Sequence, residues 1–123
     1  MAMSKWIGRL AIALLVVLAA SSAFAQNAGS LRGTITDQQG AVLPGAAVVL
    51  TNEATKAARQ AVTDAKGGYF FAALLPGNYS IAVELSGFKG KTTRGIRISP
   101  NDTRGYDVTM EIGGQSEKIE VTA

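Results

Sequence analysis

Large apolar residues recur at every second position along much of the chain, and the longest such stretch runs from Gly68 to Phe88. Tyr69 and Phe71, then Tyr79, Ile81, Val83 and Leu85, keep a spacing of two, which puts each set on one face of a pleated strand. Between the sets stands Leu74-Leu75-Pro76-Gly77-Asn78. Proline presets φ and glycine tolerates a positive φ, so Pro76-Gly77 predicts a tight type II turn that reverses the chain. Two readings fit Tyr79: a ring that fills core, or a tyrosine corner whose hydroxyl also turns back to a backbone group of the turn.

Further strands follow from the same alternation. Leu31, Gly33 and Ile35 alternate with Arg32, Thr34 and Thr36; Ala46 to Thr51 is apolar on both faces and predicts a more central strand. Lys56 to Thr63 is weaker, and its Lys56 and Arg59 suit an edge. Thr36-Asp37-Gln38-Gln39-Gly40 and Thr63-Asp64-Ala65-Lys66-Gly67 share the spelling T-D-x-x-G. In each, the aspartate side chain can cap the backbone two residues on, and the glycine supplies the left-handed residue that closes the turn. The glycines and charges of Lys89 to Gly95 predict an irregular or bulged strand leading into Ile96 and Ile98. Tyr106, Val108, Met110 and Ile112 give the last alternation, before Gly113-Gly114. The class is all-β: seven short strands with turn signals between them, the pattern of a two-sheet sandwich.

The spelling G-x-Y-x-F-x-x-L-x-P-G-x-Y-x-V-x-V-x-x-x-G-F resembles the signature of carboxypeptidase regulatory-like domains. This chain carries Gly67, Tyr69, Phe71, Leu74, Pro76, Gly77, Tyr79, Ile81, Val83, Gly87 and Phe88 in register, with Ile81 where valine is usual. The resemblance covers residues 31–112 and implies a transthyretin-like, Greek-key β-sandwich. In carboxypeptidases such a domain is accessory to the catalytic one, so the family's name does not imply peptidase activity here.

Ahead of the sandwich, Lys5 and Arg9 precede an unbroken apolar run from Leu10 to Ala20, and Ala23-Phe24-Ala25 is a small-x-small site. Residues 1–25 are expected to be a secretory signal peptide cleaved after Ala25, because the run is shorter than the ~20 residues a membrane-spanning helix needs. Residues 26–30 then form a polar leader, and no membrane span remains after cleavage. Removing 25 of 123 residues leaves 98, with ten basic and nine acidic side chains and a net charge of +1. Such a chain has no electrostatic footprint for nucleic acid. It is expected in the periplasm or cell envelope, outer-membrane associated if part of a receptor.

The chain has no cysteine and no histidine. That removes disulfides, the commonest thiol nucleophile, the commonest general base and most zinc ligands, so no enzyme activity, cofactor or metal is expected. Ser86-Gly87-Phe88-Lys89 spells S-x-x-K, but follows a strand rather than lying on a helix; Gly90-Lys91-Thr92 ends like a P-loop, but Leu85 stands where its first glycine belongs. Both are chance matches. With one carboxylate each, the T-D-x-x-G turns also fall short of a calcium loop.

Two functions are weighed. Domains resembling this one commonly stand at the N-terminus of TonB-dependent outer-membrane receptors, directly after the signal peptide, which implies a non-enzymatic interaction or spacer module. The tail, residues 113–123, ends in Glu117-Lys118-Ile119-Glu120-Val121-Thr122-Ala123 and resembles a TonB box. On that reading Glu117, Ile119, Val121 and Thr122 contact the partner as an unpaired strand. The other reading of the tail is a linker or an extra strand on the domain's own edge. The alternative function is a free-standing carbohydrate-binding module, implied by the superfamily's likeness to starch-binding domains. Phe70, out of phase with the core, is then the sugar contact, since Trp6 leaves with the signal.

Overall fold

The computed structural model describes residues 7–13, 27–113 and 118–123. Nine strands are described: β1 (Gly29–Asp37), β2 (Ala47–Asn52), β3 (Ala58–Val62), β4 (Gly68–Leu74), β5 (Gly77–Glu84), β6 (Gly90–Ile98), β7 (Thr103–Gly105), β8 (Val108–Met110) and β9 (Lys118–Thr122). They form two sheets, one ordered β4-β1-β7 with β8 also on β1, the other β3-β2-β5-β6-β9. Residues 7–13 are a short exposed helix, and among the described residues no helix is long and apolar enough to cross a membrane. The expected cleavage site at Ala25 lies outside the described residues.

The alternating residues meet between the sheets. Leu31 and Ile35 of β1 and Tyr69 and Phe71 of β4 face Val48 and Leu50 of β2, Ile81 and Val83 of β5, and Ile96 and Ile98 of β6, all buried. Burying each such side chain contributes roughly 1.5–3 kcal/mol, so a core of this kind holds the sandwich without disulfides. β3 ends its sheet, as its charges lead one to expect. The sheet's other end is β9, so the tail is not an unpaired strand: Lys118–Thr122 runs parallel to Gly90–Arg94.

Both T-D-x-x-G turns close the same way. Asp37 Oδ1 accepts the amides of Gln39 and Ala41 at 2.9 Å each, and Asp64 Oδ1 those of Lys66 and Gly68 at 2.9 Å each. Gly40 and Gly67 stand at φ 85° and 73°. The expected bulge in β6 also occurs, at Arg94-Gly95, where Tyr79↔Ile96 steps to Ile81↔Thr93 and Gly95 takes φ 74°.

Four expectations are corrected. The strand expected over residues 106–112 is interrupted: the Asp107 carboxylate accepts the Thr34 amide at 2.9 Å, and β7 and β8 pair in parallel with β1 on either side of that contact. Ile112 is exposed and meets Phe88 only in an isolated bridge. Gly77 has φ 156°, not the left-handed value of a type II turn, because the corner carries the chain from one sheet to the other instead of closing a hairpin. The left-handed residue nearby is Ala73, at φ 55°, in a bulge where β4 spends three steps against two of β1. Finally, β1 begins at Gly29, so the last two residues of the expected leader belong to the sandwich, where Gly29 packs against Ile98 and the backbone of Asp102 too closely for a side chain.

Candidate functional site

Two surfaces carry the residues singled out from the sequence. The first is the outer face of the four-stranded sheet at its β4 edge. Arg32 and Phe70 stand opposite each other in the β1–β4 ladder, and Phe70 is 57% exposed. A groove of about 550 Å³ opens there, and Thr34, Val62, Gly105 and Asp107 also line it. Val62 comes from β3, so the groove lies where the edge strands of the two sheets approach each other. Arg59 of β3 also bridges the two edge strands: its guanidinium donates to the Ala72 carbonyl and lies 5.8 Å from the Phe71 ring centre.

Gly33 forms the floor of that groove. A Cβ there would collide with the Tyr106 carbonyl, which also accepts the Tyr69 hydroxyl. Burial, reinforced by Asp107 and Tyr106, pushes the Tyr69 pKa well above the ordinary tyrosine value. The ring therefore serves as a neutral donor holding the interrupted strand on β1. Sequence alternation singles out Phe70 alone. Its neighbours Arg32, Val62 and Asp107 come from three other segments; the one local signal was Arg32's outward phase in β1.

The second surface is the edge made by β9. Val121 is 38% exposed, Ile119 half-buried and Thr122 exposed, while Glu117 lies outside the described residues. Arg94 and Glu120 form an exposed ion pair at 3.2 Å, and the Ala123 amide donates to the Arg94 carbonyl at 2.7 Å. The signature residues hold the fold, with Tyr69 also lining the groove. Tyr69, Phe71, Leu74 and Tyr79 are buried. The Tyr79 hydroxyl donates to the Leu75 carbonyl at 2.7 Å, and Pro76 is exposed on the corner. Gly87 turns the chain at φ 88°, where the Phe88 amide donates to Leu85. Among the described residues no three Asp or Glu side chains come together in a metal-binding arrangement.

The profile of the carboxypeptidase regulatory-like domain matches residues 30–111. No curated protein matches the chain. Among solved structures, the Bacillus anthracis TIE protein is similar at 23% identity and a TM-score of 0.58, over 70% of this chain and 17% of that one. A candidate carbohydrate-binding protein from Bacteroides uniformis ATCC 8492 is similar at 18% identity and a TM-score of 0.55, over 67% of this chain and 40% of that one. Hydroxyquinol 1,2-dioxygenase from Pseudomonas putida DLL-E4 is similar at 10% identity and a TM-score of 0.60, over 71% and 57%. At these identities the likeness is one of fold, and this chain spans less than two thirds of each of those proteins.

Proposed function

This chain belongs to the carboxypeptidase regulatory-like domain family, and from that premise we propose that it is a non-enzymatic exported interaction or spacer module, the N-terminal domain of a TonB-dependent outer-membrane receptor or a fragment of one. The observation that carries this reading is the placement of the last strand. β9 sits at the rim of the five-stranded sheet, and none of its residues Ile119–Thr122 belongs to the buried core. It can therefore leave without unpacking the sandwich and pair with the sheet edge of a partner. Because β6 already holds the strand, capture by TonB is a competition, and weak binding is expected. Calorimetry of the full chain against the periplasmic domain of TonB tests this. Saturable binding that Val121→Pro abolishes supports the reading, since proline removes a ladder donor. Absence of binding even in Arg94→Glu, which replaces the ion pair with a repulsion, overturns it.

The second reading, carbohydrate binding, is favoured by the exposed Phe70 ring, opposite Arg32 in the ladder, over an open groove. An aromatic face flanked by polar groups is how side chains stack on sugar rings while bonding their hydroxyls. Saturable binding to one member of a polysaccharide panel, lost in Phe70→Ala, supports it. A flat panel removes it and leaves the first reading untouched.

A further inference from the structure

We infer that the β6 edge is a strand-acceptor site, filled within the chain by β9 and open to the β9 of a second copy, so that two chains associate by exchanging their last strands. Five residue pairs, Gly90↔Lys118 through Arg94↔Thr122, form the ladder that seats β9. Beyond that ladder, the Ala123 amide donates to the Arg94 carbonyl and Arg94 and Glu120 form a rim ion pair, whose side chains are 60% and 65% exposed. The fully buried core runs from Leu31 to Met110 and includes none of Ile119–Thr122. Departure of β9 thus leaves the packed interior intact while exposing unpaired amides and carbonyls along Gly90–Arg94, groups that require a partner.

The occupant follows from the register already in place. A strand that fits this edge puts an acidic side chain where Glu120 meets Arg94, and every other copy of the chain carries that strand. An exchanged pair reproduces each backbone bond and the ion pair of the closed chain, so its population is set by concentration and by the connection, not by new contacts. This inference does not depend on the receptor reading, because it concerns what β6 accepts and not where the tail is delivered.

The chain contains no cysteine, which makes disulfide trapping specific. Thr92 and Glu120 are directly opposite in the ladder. Full-length Thr92→Cys and Glu120→Cys variants, mixed at high concentration under mild oxidation, are expected to form about tenfold more mixed dimer than either gives with itself, since only the mixed pair places two thiols within disulfide range. The mixed dimer should increase with concentration and disappear when Val121→Pro is added to the Glu120→Cys chain. The chain carrying both cysteines, kept dilute, should close on itself as a monomer. Closure of that chain without mixed dimer in the two-variant experiment overturns the exchange. Failure of that chain to close overturns the register on which the inference stands.

Discussion

Tyr79 brings two demands together in one side chain: its ring fills the core beneath the corner, and its hydroxyl supplies the Leu75 carbonyl at 2.7 Å. Removing the ring empties a packed volume, whereas removing the hydroxyl strands one backbone acceptor. Tyr79→Ala should lower unfolding stability in urea by ~3–5 kcal/mol, and Tyr79→Phe by ~1 kcal/mol. Small and equal losses would contradict both roles. Tyr69 differs because its hydroxyl donates to the Tyr106 carbonyl under the influence of burial first, then Asp107 and Tyr106. A carbonyl cannot accept a bond from a phenolate, so the folded state holds the proton more tightly than the unfolded chain, whose tyrosine keeps the ordinary value of 10.0. The contribution is fully present below that pH and is lost as pH rises from there toward the folded value. Stability should therefore fall on the alkaline side, and Tyr69→Phe should flatten that limb relative to the parent. An unchanged limb in the variant would assign the loss to other groups.

Within single elements, the backbone exceptions mark where pairing overrides local preference. Ala73 stands at φ 55°, a conformation that carries a penalty for any residue with a Cβ, because β4 must fit an extra residue opposite β1. Ala73→Gly is expected to be neutral or stabilising by up to about 1 kcal/mol, against a loss of roughly 0.5–1 kcal/mol for the same change inside a regular strand. A clear fall in melting temperature would contradict the bulge. The two T-D-x-x-G turns were legible because cap and glycine lie within five residues of each other, whereas nothing in the local spelling singles out Ala73. The interrupted last strand was equally hidden: its cause is Thr34 bonding to Asp107 across 73 residues of sequence, with Gly33 admitting the Tyr106 backbone beside it. The groove around Phe70 escaped for the same reason. Alternation tells which way a residue points within its own strand, but not which strands will stand next to it.

Across the whole molecule, stability is graded from the centre of the five-stranded sheet to its rim. β5 lies between β2 and β6, and all three send fully buried side chains between the sheets. β9 is joined on one side only and leaves Glu120, Val121 and Thr122 exposed. The alternation of Ile119 and Val121 with Glu120 was equally compatible with a free tail and with a paired strand, since both call for an extended segment; only the ladder on β6 separates them. Backbone bonds at a rim open locally without the cost of exposing core. Amide exchange of the full chain should therefore show Leu50, Ile81 and Val83 exchanging only through global unfolding, with Ile119 to Thr122 protected but exchanging at least about tenfold faster through local opening. Arg94→Glu should accelerate exchange in the tail while leaving the central amides within the effect of an ordinary surface change, because the pair it breaks is solvent-exposed. Equal protection of tail and centre would make β9 part of the global folding unit, and a strand that leaves only when everything unfolds has no use in capturing a partner or exchanging with a second copy.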